Sequence, residues 1–275
     1  MQSEASPDDL GHKIEAFLSS YVAAGNFSGS ILVARGEELL VEAAFGVADS
    51  ERSVPARPED GYGIGSVSKS FTAAAVLRLV EQGRVKPDDP VATHLPEFPF
   101  ESPVTVRQLL EHRSGLPNLF FLPDYADLAA RPYDRPSDVV ELARTQPVSE
   151  PGAGYAYNNL NYTVLAWIVE EVSGHSFAYY LDTELFRPLD LTGAGLLGSN
   201  AEPMAGVARG HDPVGVDGLQ GERPTDRSIL VGAGSMHATA LDLWKWLDGL
   251  AGRAILASLP DSVVFEYVGR RENVR

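Results

Sequence analysis

The chain has no cysteine among its 275 residues, which excludes disulfides, thiolate metal ligands and a cysteine nucleophile. Positive charge is also scarce: 22 Lys and Arg stand against 38 Asp and Glu, a formal net charge of -16. A surface of that sign repels phosphate backbones and anionic headgroups, so neither nucleic acid nor a membrane is an expected partner. No apolar run reaches the roughly 18 residues that cross a bilayer. The polar, acidic start MQSEASPDDLGHK lacks the basic residues and apolar stretch of a secretory leader. The expectation is therefore a cytoplasmic protein as the sequence stands, or a periplasmic or secreted one if a leader was removed. The six histidines, at 12, 94, 112, 175, 211 and 237, form no H-x-x-x-H or H-E-x-x-H pair, so no metal is expected. G-x-S-x-G, the nucleophile turn of the α/β-hydrolases, is absent as well.

What the chain does contain is clear local patterning. Its length allows one large domain or two closely joined ones. Ile14, Phe17, Leu18, Tyr21 and Val22 lie on one helical face. Two apolar runs around Arg35, Gly36 and Glu37 predict a β-hairpin. From Ser68 to Gln82 the residues are apolar on nearly every side, which predicts a helix buried all round and capped by Gly83. Thr105 and Gln108 form a capping-box pair opening a short helix that is expected to stop at Ser114 and Gly115. Residues 118 to 150 read as a proline- and aromatic-rich wall with a helical patch near Asp138 to Thr145, and Leu160, Val164, Ile168 and Val172 mark a helix ending at Gly174. A further helix is expected around Ser176 to Phe186, a poorly patterned stretch over 198 to 233, and a helix capped by Thr239 and Asp242. Val263 to Val268 reads as a strand.

One segment concentrates chemistry. In GIGSVSKSFTAAAVLRLVEQG, residues 63 to 83, three serines surround Lys69 at the mouth of the apolar helix. A phosphate-binding P-loop is one reading, but Ser68 occupies the place of its second glycine, whose backbone freedom lets amides wrap the phosphate. A second reading makes Ser66 a helix cap and Lys69 a snorkelling side chain. The third joins the two: at i and i+3 they share one helical face, and an apolar setting disfavours ammonium, leaving an amine able to take the serine proton. Unpaired N–H groups at the helix start would stabilise an oxyanion forming beside Ser66.

This segment, followed in order by VTVRQLLEHRSGLP, YAYNNLNYTVLAWIVEEVSG and GAGSMHATALDLWKWL, resembles the serine β-lactamase and penicillin-binding-protein superfamily, in the class C β-lactamase-like branch with D-alanyl-D-alanine carboxypeptidases, D-aminopeptidases and esterases. The resemblance covers roughly residues 10 to 250. It implies an α/β fold of the α+β type: an antiparallel sheet flanked by helices, with an inserted all-helical domain. The whole chain would form one unit, residues 1–85 and 226–275 making the α/β part and 86–225 the helical part. The implied function is serine hydrolysis through an acyl-enzyme on a β-lactam, a D-amino-acid peptide or a small ester, without metal or organic cofactor. Ser66 would be the nucleophile and Lys69 with Tyr157 would handle its proton. Asn159 would position the substrate, and the Ser66 N–H would serve the oxyanion. The superfamily's third signature, K-T-G or H-x-G, is missing: no Lys or His beyond residue 174 has Gly two places later. The carboxy-terminal strands that carry it therefore read as incomplete. That would leave a sheet edge open to a second copy, and it keeps open a binding protein on the same scaffold.

Overall fold

The computed structural model describes residues 7–49, 51, 53–198, 204–213, 219–221 and 225–268. The first six residues, part of the start on which the leader reading rests, and parts of the stretch 198–233 lie outside it.

The chain opens with α1 (Pro7–Ala23) and the hairpin β1 (Gly29–Arg35) and β2 (Glu38–Phe45). Gly36, at φ +60, supplies the left-handed turn the hairpin needs. The antiparallel register runs from Gly29 opposite Phe45 to Arg35 opposite Glu38, with a bulge after Val33. Among the described residues the other edge of β1 pairs with no strand. Two short strands, β3 (Val47–Asp49) and β4 (Val54–Pro55), form a second antiparallel pair. Then come β5 (Tyr62–Gly63), a 3-10 turn over Gly65–Val67, and α2 (Ser68–Glu81).

Ten residues of α2 are buried, from Ser68 to Leu79, so the helix has no solvent face and its position is set by neighbours on all sides. Phe71 stacks on Trp246 at 4.0 Å between ring centroids and meets Phe186 edge-on at 6.0 Å. The helices α3 (Val91–His94), α4 (Val106–Leu110), α5 (Tyr125–Leu128) and α6 (Pro136–Glu141) lead to α7 (Asn159–Ser173), which packs against α2, α4 and α6. Thr105 and Gln108 close the capping box on α4. That helix ends earlier than its sequence suggests, because His112 at φ +56 takes the left-handed position. After α7, Gly174 caps at φ +78, α8 (Phe177–Leu181) follows, and a π-helical turn over Asp182–Phe186 extends it.

Strand β6 (Gly195–Leu196) precedes the pair β7 (His211–Pro213) and β8 (Leu219–Gly221), and β9 (Met236–Ala238) then joins β5 and β6 in the order β5-β9-β6. The capping box of Thr239 and Asp242 starts α9 (Ala240–Ala251). The tail overturns one expectation: residues 261–267 form a helix, α10 (Asp261–Tyr267), where a strand was read. The apolar residues suit a strand by type, but Val264, Tyr267 and Val268 are buried with Val263 half-buried, a spacing of 1, 4 and 5 that fits a helix face and no alternating strand. Pro260 at the N-cap and Asp261 in the first turn favour the helix start. No helix among the described residues is long and apolar enough to cross a membrane.

Candidate active site

Each hydroxyl around Lys69 has a separate partner. Ser68, fully buried, accepts the Met236 N–H at 3.3 Å and ties β9 to α2. One turn on, Thr72 donates to the Gly232 carbonyl at 2.6 Å. Ser70 accepts from the Trp246 indole at 3.2 Å and donates to the Val67 carbonyl. Ser66 is left facing outward from the 3-10 turn, and its Oγ lies 2.6 Å from the Tyr157 hydroxyl and 3.3 Å from Lys69 Nζ.

Lys69 is 7% exposed. Its Nζ donates to Asn159 Oδ1 at 2.8 Å and to the Ala233 carbonyl at 2.7 Å, and it lies over the rings of Tyr157 and Tyr162 at 4.9 and 5.5 Å. Burial pulls the amine below its ordinary range, only partly opposed by Tyr157. A neutral amine has two N–H bonds and one lone pair. With two N–H bonds taken by Asn159 and Ala233, the remaining position on Nζ faces Ser66 Oγ: a third N–H in the ammonium, a lone pair in the neutral amine.

Thus Ser66, Lys69, Tyr157 and Asn159, separated by up to 93 positions in the sequence, come together at one place. Asn159 is held by being the first residue of α7, whose N-cap is Asn158: its side chain accepts from the Leu160 N–H at 2.9 Å and donates to the carbonyls of Leu116 and Pro117. Tyr157 belongs to no helix or strand. Its ring rests on His112 at 4.6 Å, and the Asn158 N–H donates to His112 Nδ1 at 3.1 Å. Burial, reinforced by the charge of Lys69, pushes His112 down to about 4, so at neutral pH it is an uncharged acceptor.

Three contributors escaped the sequence reading. The Ala233 carbonyl is a backbone atom, and its only signal was the quoted GAGS segment. Asn158, the N-cap of α7, stood in the sequence only as the residue between Tyr157 and Asn159. His112, within the quoted VTVRQLLEHRSGLP segment, ends α4 with its left-handed backbone and also faces the site. A cavity of about 490 Å³ opens beside Ser66, lined by Val67, Lys69, Ser70, Leu243, Trp246, Leu247, Tyr267 and Val268. Among the described residues no group of three or more His, Asp or Glu side chains could hold a metal ion.

A lysine-backed serine at the head of a buried helix, with a tyrosine and an asparagine from a second helix start, defines the class: the fold shared by β-lactamases and penicillin-binding proteins. The family profile described as Beta-lactamase matches residues 14–270, and the chain belongs to that family, whose members are mostly serine hydrolases. It is 30% identical over 230 residues to PbpX of Bacillus subtilis (strain 168), covering 83% of this chain and 56% of that one. Its fold is similar to that of a D-amino acid amidase from Ochrobactrum anthropi SV3 (28% identity, TM-score 0.79, 94% of this chain and 74% of that one). A penicillin binding protein from Bacillus halodurans is similar too (25% identity, TM-score 0.78, 94% and 79%). The chain spans about half the length of the curated relatives it matches, from 36% to 56% for the first three.

Proposed function

We propose that the chain is a serine hydrolase working through an acyl-enzyme on Ser66. The observation that carries this is the Lys69 amine, buried, with two acceptors taken and Ser66 Oγ at 3.3 Å. The Ser66 proton passes to neutral Lys69 as Oγ bonds to the substrate carbonyl carbon, and the Ser66 N–H faces the resulting oxyanion. As the tetrahedral intermediate collapses, its bond to the leaving group breaks and the proton returns through Tyr157, whose hydroxyl is 2.6 Å from Oγ, to that group. Water then attacks the acyl-enzyme by the same route in reverse. Asn159 orients Lys69 and the incoming carbonyl compound.

The cavity beside Ser66 favours one acyl donor among the three. Apart from Lys69, whose donors are engaged, the described residues of its lining include no cationic side chain to pair with a carboxylate, while Leu243, Trp246, Leu247 and Val268 suit an alkyl or aryl acyl group. An uncharged ester is therefore the favoured substrate class, ahead of a β-lactam or a D-amino-acid peptide. The test is incubation with a p-nitrophenyl ester, a reporter cephalosporin and a fluorophosphonate, read by turnover and by intact mass. The expected result is an adduct on Ser66, lost in Ser66→Ala, with the ester turned over fastest. Replacing Lys69 by Ala should slow acylation roughly 10²- to 10⁴-fold. Folded protein that takes no label would instead be a binding module on this scaffold.

A further inference from the structure

We propose that His112 is the positioning residue of Tyr157: one histidine grips the chain on both sides of the tyrosine and so sets the distance from its hydroxyl to Ser66. This rests on the hydrolase reading above.

The need for such a grip is visible in the local structure. Residues 154–158 carry no helix or strand, and Tyr157 is 44% exposed, so neither a backbone ladder nor deep packing fixes its phenol. Lys69, in contrast, is anchored within the buried α2, and Ser66 sits in the 3-10 turn that leads directly into it. A proton relay with one loosely held member loses rate steeply, on the order of 10²-fold for a displacement near 1 Å.

His112 supplies the anchor twice. Its carbonyl accepts the Ala156 N–H at 2.8 Å, and its ring Nδ1 accepts the Asn158 N–H at 3.1 Å. Extended chain repeats every two residues, so the N–H groups of 156 and 158 face the same way, and both end on one residue. The ring itself is the floor under Tyr157, at 4.6 Å and 35° between planes, with Tyr162 beyond it at 5.1 Å. His112 can present carbonyl and ring to the same strand of chain because its backbone is left-handed, at φ +56. The Tyr157 carbonyl is held separately by the Asn118 side chain at 3.3 Å.

A residue kept only to end α4 at a left-handed position would be replaceable by glycine, which prefers that conformation. Asparagine tolerates the same conformation, and its Oδ1 stands where Nδ1 stands in histidine, so it restores the acceptor. The pair His112→Gly and His112→Asn therefore separates the two roles. Acylation of Ser66 by a p-nitrophenyl ester is followed by nitrophenolate release and intact mass, and exchange of the Asn158 and Ala156 amides by hydrogen–deuterium exchange. The expected result is an acylation rate roughly 10²-fold lower in H112G, with faster exchange at Asn158, while H112N keeps most of the rate and the slow exchange. The proposal is overturned if H112G acylates at the parent rate, or if H112N is as slow and as open at Asn158 as H112G. Should the parent protein take no label at Ser66, the hydrolase reading fails, and exchange at Asn158 still decides whether the grip exists.

Discussion

Adding one methyl group at Gly232 should damage fold and site together. Gly232 sits at φ +75, and a Cβ there would stand 2.3 Å from the Tyr162 carbonyl oxygen and 2.9 Å from the Ala166 side chain. Both belong to α7, which cannot retreat because α2, α4 and α6 pack on it; the segment 231–233 must move instead. The left-handed backbone costs an alanine about 1–2 kcal/mol, and the forced overlap adds about 1–3 kcal/mol, for a sum of about 2–5 kcal/mol. Movement of the segment also strips Thr72 of the Gly232 carbonyl and Lys69 of the Ala233 carbonyl. The amine then loses one of the two acceptors that aim its lone pair, and acylation should fall on the order of 10²-fold. Gly83→Ala is the matched comparison: Gly83 has nearly the same φ, +71, but nothing within 4 Å of a new Cβ. It should cost only the backbone strain and leave acylation unchanged. Urea unfolding gives the two stabilities and fluorophosphonate labelling of the folded fraction gives the rates. If Gly232→Ala destabilises no more than Gly83→Ala and labels as fast as the parent, the close approach of residue 232 to α7 does not hold the lysine in place.

Stability should fall as the solution is acidified from about pH 6.5 toward about pH 4, before most carboxylates titrate. His112, faced by Lys69 from α2, by Tyr155 and Tyr157 from the loop and by Tyr162 from α7, stays neutral down to about 4 when folded but takes a proton near 6.5 when unfolded. Its neutral, buried form therefore contributes fully above about pH 6.5, and about 2 kcal/mol of that is lost by pH 5. His237, also pushed down by burial, adds to the same slope; His112→Asn should flatten the urea-midpoint profile, and an unchanged slope would refute the assignment. Phe71→Ala removes a fully buried ring stacked on Trp246, with an expected loss of about 3–5 kcal/mol. It should also red-shift tryptophan emission, and a loss below about 1 kcal/mol would mean that the cavity collapses around Trp246.

The parts of the fold legible in the sequence are those decided by neighbours in the chain. The apolar run after Ser68 has no polar stripe to place in solvent, so burial of α2 follows from composition alone. Both capping boxes, at Thr105 and Thr239, are three-residue devices and are found where the spacing puts them. What was misread depends on distant partners. Val263 to Val268 has strand-forming residues, yet whether a β-branched run becomes strand or helix depends on which surface covers it. Here Val264 and Tyr267 turn inward together as a helix face, and the Tyr267 hydroxyl meets Arg107 at 2.7 Å. The end of α4 was placed at the glycine, the usual left-handed residue, whereas the chain turns three residues earlier at a histidine whose side chain is needed elsewhere. The site divides in the same way. Ser66 and Lys69 are joined by helical spacing and could be paired from sequence by geometry, but Tyr157 and Asn159 could be attached to them only by resemblance. No residue pattern encodes that α2 and the start of α7 meet. The Ala233 carbonyl had no side-chain signature at all. It matters because a lysine can be turned into a base only when something fixes its protons, and a backbone oxygen does this as well as a side chain does. The hydroxyls of Ser68, one of the three serines around Lys69, and of Thr72 one turn on hold that backbone against α2, and in doing so they help determine which way the amine points.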